Sequence, residues 1–298
     1  MAGGLKEVRE RIKSVINTQQ ITKAMKMVSA AKLRKAQTAI VQMRPYSERL
    51  NRMLSNIVSN VDGASTRFGE ARAVKKALVV VVTSNRGLCG AFNTNICKEA
   101  VALIQRKYSS LHQQGALTVM FVGKKGYDYF RRRYRDMDFN TDHIGLFSQL
   151  TYDHSSALAK AIMESFEHGQ VDAVDVVYGQ FRNAATQVPT VESWLPVPRL
   201  EKKPGNMQGQ RKADYVFEPN EQELLEILVP SILQLTFHKT MLDTHASEHG
   251  ARMTAMDNAT ENANELLKEL RINYNKARQE AITRELSEIV GGAAALEG

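Results

Sequence analysis

Two apolar seams with unbroken heptad spacing, one toward each end of the chain, limit the available folds more than any other feature. The first passes through Leu5, Val8, Ile12, Val15, Gln19, Thr22, Lys26, Ser29, Leu33, Ala36, Ile40, Met43, Ser47, Leu50, Leu54, Ile57 and Val61. Alternating steps of three and four keep these positions on one helical face, and a stripe held in phase over that distance belongs to a coiled coil. Pro45 is the only breaker and predicts a bend or a division near Arg44. The second seam passes through Leu225, Leu228, Ile232, Leu235, Lys239, Leu242, Ala246, His249, Met253, Met256, Thr260, Ala263, Leu267, Leu270, Tyr274, Ala277 and Ala281, again without a slip. Pro230 falls near its start, where proline costs least.

Neither helix can bury such a stripe alone, so the two are expected to pack as an antiparallel pair. Polar interruptions suggest the register. Residues 19–29 break the first seam and residues 239–260 loosen the second, and apposing the defects lets polar groups satisfy one another. That register places Met25 near residues 249–252 and Leu5 opposite about Leu270. Residues from about Arg271 onward then extend beyond the partner as a single helix, and a tip ending IVGGAAALEG needs another surface to hold it.

Between the seams the texture changes. Residues 77–83, 117–122, 175–178 and 187–194 read as strands, and 91–108, 124–134 and 155–168 as helices. Their alternation implies a mostly parallel sheet with helices on its faces. The polar stretch RLEKKPGNMQGQRKAD reads as a loop. The expected fold class is α/β: a long antiparallel coiled coil of N- and C-terminal helices with an inserted, mostly parallel α/β (Rossmann-like) domain. Residues 1–62 form the first helix, 75–198 the insert, 199–219 a linker and 220–298 the second helix, which pairs with 1–62 as one discontinuous domain.

The stretch ALVVVVTSNRGLCGAFN, where a β-branched run meets a glycine-punctuated loop, invites a phosphate-binding reading. Gly87 and Gly90 are three apart with no Lys-Ser or Lys-Thr after them, so neither the P-loop nor the dinucleotide fingerprint is met. A strand-to-helix turn needing small residues for close packing explains it more simply, although Arg86 and a helix N-terminus leave anion binding open. His238, His245 and His249 share a helical face and could offer imidazoles to a metal. The metalloprotease pattern is absent, however, and polar residues at a seam defect account for them. His112, His143 and His154 read as surface or packing residues, and Asp172 and Asp175 as turn residues flanking a strand. No nucleophile, base and orienting acid stand at meaningful spacing. Cys89 and Cys97 are too few and too close for a disulfide framework or a zinc site, which makes a reducing compartment the default.

Charge points to partners. Lys plus Arg number 40 against 32 for Asp plus Glu, a formal net charge of +8. The excess gathers on the first helix, where a solvated face would mix signs, so an acidic partner is expected. Bases there are not interleaved with aromatics, which weakens a nucleic-acid reading. No apolar run approaches the ~20 residues of a membrane span. The start MAGGLKEVRERIK has neither signal nor transit character, so a soluble, unprocessed chain able to attach to a membrane complex is expected.

Four segments then carry a resemblance: ITKAMKMVSAAKLRKAQ at 21–37, TSNRGLCGAFN at 83–93, SEHGARMTAMDNATENA at 247–263 and ITRELSEIVGGAAA at 282–295. Together they resemble the gamma-subunit family of rotary proton-translocating ATP synthases, the central stalk. The resemblance implies a left-handed antiparallel coiled coil along the axis of a ring of alternating α and β subunits. The insert would lie below, beside the epsilon subunit and on the membrane rotor ring of c subunits. It also implies a non-catalytic rotor shaft without cofactor, coupling proton-driven rotation to conformational change in the β subunits. Lys23, Met25, Lys26, Lys32 and Lys35 would meet acidic lever segments of the β subunits, with Arg252 nearby. Arg278 and Gln279 match positions that engage the ring's catch loops, and the tip from Ile282, Thr283 and Glu285 to residue 296 would turn in an apolar bearing. Photosynthetic relatives carry a regulatory cysteine pair in an extra segment that Cys89 and Cys97 do not occupy. A bacterial chain, peripheral on the cytoplasmic face of the cell membrane, is therefore expected. The alternatives are a coiled-coil nucleic-acid-binding protein, with a steep salt slope, and a nucleotide-binding α/β enzyme.

Overall fold

The computed structural model describes residues 3–60, 67–69, 72–134, 136–197 and 220–297; the expected linker at 199–219 and Val61 lie outside the described residues. Two helices dominate, α1 (Gly3–Asn60) and α6 (Glu221–Glu297). Between them lie β1 (Ala77–Val82), α2 (Phe92–Lys107), α3 (Ser109–Gln113), β2 (Leu117–Val122), α4 (Lys124–Arg133), β3 (Asp138–Asn140), a 3₁₀ turn (Leu146–Gln149), α5 (Tyr152–Glu167), β4 (Ala173–Phe181) and β5 (Gln187–Leu195). Helix α1 runs through Pro45 without division, contrary to one expected outcome, and Pro230 stands inside α6 beyond its first turn. Among the described residues no helix is long and apolar enough to cross a membrane.

The chain divides into two compact units, Met1–Ala30 with Arg252–Gly298, and Ala31–Ala251. In the first unit the helices pair antiparallel. Gln19 Nε2 donates to Asn264 Oδ1, the Thr22 and Thr260 hydroxyls lie 2.8 Å apart, and Lys26 Nζ reaches Asp257 Oδ1 at 2.5 Å. Polar groups do meet across the seam, but the register is displaced by about a heptad from the expected one. Carried along the helices, these pairs set Met25 opposite Asn258, not residues 249–252, and Leu5 opposite about Arg278, not Leu270. In the second unit, α6 is engaged around residues 247–250. Ser247 Oγ donates to Gly179 O at 2.9 Å, and the Gly250 backbone packs on Ala184. From Arg278 to Ala293 every side chain of α6 is exposed, so the unpaired tip begins a heptad later than residue 271.

The second unit is built on a five-stranded sheet of order β3-β2-β1-β4-β5. Strands β1 to β4 are parallel, and β5 returns antiparallel along β4. Strands β1 and β2 follow the expected spans closely, whereas β4 is longer, and β3, three residues with no apolar run, carries no readable signal. Central β1 is buried on both faces, as a parallel strand covered by helices must be. Its alternate residues feed two cores. Ala77, Val79 and Val81 pack with Ile96, Cys97 and Leu103 of α2 and Phe130 of α4. Leu78, Val80 and Val82 pack with Leu158, Ile162 and Phe166 of α5, and also with Leu225, Val229, Leu233, Phe237 and Met241 of α6. Helix α6 is thus a layer of the α/β unit as well as a coiled-coil strand. Its sheet-facing residues recur every four positions, a second stripe beside the heptad seam.

Two close approaches lock this unit. Gly123, at φ +105°, leaves no room for a Cβ, which would stand 2.0 Å from Thr83 O. Thr83 Oγ1 donates to Gly123 O at 3.2 Å and accepts from the Gly126 N–H at 2.8 Å, tying the ends of β1 and β2 together. On the α6 side, buried Tyr178 of β4, half-buried Glu192 of β5 and buried Asp243 of α6 form an acidic cluster beside Lys239. Burial pushes the Asp243 carboxyl up to about 6, with Lys239 opposing and Glu192 reinforcing the shift. Burial also raises Glu192, against the Tyr178 hydroxyl and Lys239.

Gly123→Ala is expected to destabilise the full chain by about 3 kcal/mol or more, because backbone must move. Gly90→Ala, at φ +58° with nothing within 4 Å, should cost only about 1 kcal/mol. Denaturant midpoints of the two variants measure the difference, and equal costs would contradict the close-approach account. A carboxyl whose folded pKa is raised holds its proton more tightly in the folded state. Its contribution is therefore most favourable below the ordinary value of 3.8 and is lost as pH rises toward about 6. Asp243→Asn should accordingly exceed the wild type in stability by about 2 kcal/mol at pH 8, with the gap closing toward pH 4. A gap independent of pH would show that Asp243 ionises in the fold without penalty.

Candidate functional site

The glycine loop after β1 has the geometry of a strand-to-helix turn whose polar groups serve one another. The Ser84 N–H donates to Asn93 Oδ1 at 2.9 Å, Ser84 Oγ donates to Arg86 O at 2.6 Å, and Asn93 Nδ2 donates to Ser84 Oγ at 2.8 Å. The expected reason for the glycines needs correcting. A Cβ on Gly87 would meet only Lys125 Cε at an ordinary 3.7 Å, and one on Gly90 would meet nothing, so the left-handed backbone of Gly90 and not close packing calls for glycine. In an open α/β sheet the ligand crevice lies beyond the strand carboxyl ends where strand order reverses, here between β1 and β4. Protein occupies that place. Phe92, first residue of α2, is so close to Gly179 that a Cβ there would lie 2.6 Å from its ring, and Ser247 of α6 bonds the same residue's carbonyl.

Of the three α6 histidines, His245 and His249 meet, whereas His238 is engaged elsewhere. His238 faces Ser155 Oγ through Nδ1 at 2.7 Å, and burial lowers its pKa. His245 stacks on Phe147 with ring centroids 6.0 Å apart, and its Nε2 lies 3.2 Å from His249 Nε2. Among the described residues no three His, Cys, Asp or Glu side chains stand together as a metal would require. Cys97 is fully buried, and burial pushes its thiol up to about 12 against the pull of Arg133, which leaves it a packing residue.

Asp172 does precede a strand. Burial pulls its carboxyl up, but the Lys75 and Lys76 N–H groups and the Arg72 guanidinium outweigh that and hold it below the usual range. Asp175 is not a turn residue. Because β4 begins at Ala173, Asp175 sits inside the strand with no exposure, accepting from Lys107 Nζ at 2.8 Å, Tyr108 OH at 2.9 Å and Ser193 Oγ at 2.8 Å. Three donors compensate a carboxylate that would otherwise be costly to bury. This is a structural anchor, joining α2, β4 and β5.

What the fold leaves outward is helical surface. On α1, Lys23, Lys32 and Lys35 are exposed, Met25 is half-buried, and Lys26 is half-buried through its ion pair with Asp257. Arg252 is only 7% exposed, so within this chain it is interior. On α6, Arg278, Gln279, Ile282, Thr283 and Glu285 are all exposed, together with the large apolar side chains of Leu286, Ile289 and Val290. An apolar stripe bare to solvent on a single helix is unusual for a chain that works alone. Sequence reading missed further exposed apolar residues of α1, Ile21 and Val28 among them. These two stand one heptad apart off the seam, and that spacing was the available signal.

Comparison with known proteins agrees with this arrangement. The family described as ATP synthase matches residues 4–296. The ATP synthase gamma chain of Cytophaga hutchinsonii is 48% identical, with 98% of each chain covered. That of Flavobacterium psychrophilum is 46% identical over 99% of each. Among solved structures, a chain of the Euglena gracilis mitochondrial ATP synthase OSCP/F1/c-ring assembly shares the fold with a TM-score of 0.65 at 23% identity, covering 99% of this chain and 95% of its own. A chain of the Tetrahymena thermophila mitochondrial central stalk and c-ring gives a TM-score of 0.54 at 24% identity, covering 80% of this chain and 99% of its own. On a match that runs nearly end to end, the chain belongs to the ATP synthase gamma-chain family.

Proposed function

We propose that the chain is the rotor shaft of a bacterial ATP synthase, a non-catalytic subunit that couples proton-driven rotation of the membrane ring to conformational change in the catalytic β subunits. The observation that carries this reading is the near-complete match to bacterial gamma chains. The unpaired, apolar-striped tip of α6 supports it physically, since such a tip needs a surrounding surface. The partners are the alternating α and β subunits around the helices, the c-ring and the epsilon subunit. The chain is peripheral, on the cytoplasmic face of the membrane.

The mechanism follows from stiffness and asymmetry. A shaft without threefold symmetry presents a different face to each of three chemically equal β subunits, so each is held in a different state of nucleotide affinity, and turning permutes the states. Energy passes through contacts and not through bonds made or broken on this chain. Helix α6 suits that task because one continuous helix belongs to the sheet core at 225–241 and forms the bare tip at 278–293. In this reading Lys23, Met25, Lys26, Lys32 and Lys35 face acidic segments of the β subunits, with Arg252 packed inside the shaft. Arg278, Gln279, Ile282, Thr283 and Glu285 engage the upper part of the ring. Ile21 and Val28 add apolar contact beside the cations of α1.

Purified α and β subunits should hydrolyse ATP strongly only when this chain is added, at one copy per ring of six, and the chain alone should be inactive. Activity of the chain by itself, or failure to join the ring, would return attention to an enzyme built on the α/β unit. Met25→Lys adds a cation on a half-buried position whose long side chain can reach water, so folding should change by no more than about 1 kcal/mol. Protons pumped per ATP hydrolysed should fall several-fold in assembled enzyme. An unchanged ratio would remove Met25 from the coupling surface.

A further inference from the structure

The strands β1, β2 and β4 begin at one end of the sheet, and α2 and α4 bring the chain back to that end. Cations accumulate there. Lys75 and Lys76 lead into β1, Arg106 lies in the last turn of α2, and Arg131, Arg132 and Arg133 close α4. All six are exposed, and among the described residues none of them forms an ion pair. The acids of the same end are Asp136, Asp138, which is engaged by Thr118 Oγ1 at 2.8 Å, and Glu164 and Glu167 in the last turn of α5; the carboxylates Asp172 and Asp175 are taken by Arg72 and Lys107. Helix α5, on the opposite face of the sheet from α2 and α4, carries Asp153, Glu164 and Glu167 against Lys160, so the cations of this end sit on the α2 and α4 side.

The arginines are also braced. The Arg131 guanidinium lies 5.4 Å from the Tyr127 ring centre and that of Arg133 lies 4.1 Å from the Tyr129 ring centre, with Arg133 Nη1 also donating to Tyr129 O at 3.5 Å. Val74, 43% exposed, stands beside Lys75 and Lys76 as an apolar residue set among cations. Two cavities lie elsewhere. One of about 110 Å³ is lined by Phe68, Leu225 and Val229, and one of about 470 Å³ by His143, Leu146 and His154; none of the six cations lines either. A cationic rim dotted by one apolar side chain suits an extended anionic surface.

We propose that this end of the α/β unit binds anionic phospholipid headgroups, with Lys75, Lys76, Arg106, Arg131, Arg132 and Arg133 lying against the bilayer. The inference rests on the rotor reading, which puts the α/β unit next to the membrane ring. Arginine suits phosphate because its planar guanidinium presents paired donors. Removing three such cations is expected to weaken binding roughly a hundredfold, and raised salt should weaken it further.

The test uses the complex of α and β subunits with this chain and reads sedimentation with vesicles of phosphatidylcholine alone or mixed with phosphatidylglycerol. Binding should require phosphatidylglycerol. It should fall roughly a hundredfold in R131Q/R132Q/R133Q, fall in K75Q/K76Q, and persist in K124Q/K125Q, which alters the opposite end of α4. ATP hydrolysis by the same preparations should be unchanged. Equal binding of the triple variant, no binding to anionic vesicles, or binding to phosphatidylcholine alone would overturn the proposal, as would retention on immobilised polyglutamate without vesicle binding, which indicates an acidic protein partner. Loss of stimulated ATP hydrolysis in the unaltered complex would instead strike the rotor reading, so the two failures are distinguishable.

Discussion

Helix α6 must bury two stripes at once, and most of the structure follows from that demand. Its heptad seam needs the opposing helix, while Leu225, Val229, Leu233, Phe237 and Met241, spaced by four, need the sheet. At roughly 25 cal/mol per Å² of apolar area, neither stripe can be left in water without a cost comparable to the whole stability of a domain. The sheet therefore cannot close its second core without α6. Where α6 meets β4, Ser247 bonded to Gly179 O and the close packing at Gly250 fix the helix axially. Farther along, the polar pairs at Thr22 with Thr260 and Lys26 with Asp257 belong to the coiled coil alone.

The buried charges have a related logic. Asp175 and Asp243 each lie where an element of the α/β unit meets another, and they behave differently. Asp175 has three donors and acts as a tie between α2, β4 and β5. Lys107 is 44% exposed, so the attraction itself is screened, and hydrogen bonds to the carboxylate matter more than the ion pair. Asp243 lies beside Glu192 with Lys239 opposing it, and burial dominates its titration. One is a satisfied anchor and the other a strained contact that the apolar packing around it sustains.

A nucleotide-binding fold without a nucleotide-binding loop also becomes intelligible. The topology is that of an open α/β sheet, yet Phe92 and Ser247 fill the space beyond β1 and β4. The outward chemistry is instead carried by helix surface, as cations on α1 and an apolar stripe on the α6 tip.

Periodicity made the two helices, the strands at 77–82 and 117–122 and the bare tip legible, because a stripe of period 3.5 and a β-branched run are local properties. The extent of β4, the three-residue β3 and the burial of Asp175 were not legible, since each depends on a neighbour distant in the chain. Register was the clearest failure. Matching polar interruptions selected the right kind of contact but missed by a heptad, because in a repeating seam neighbouring registers differ little in local energy. Sequence by itself determined that two long helices must pair and that an α/β unit interrupts them. Only the tertiary structure decided where they pair, because in a repeating seam the register is fixed by particular contacts such as Thr22 with Thr260 and Lys26 with Asp257.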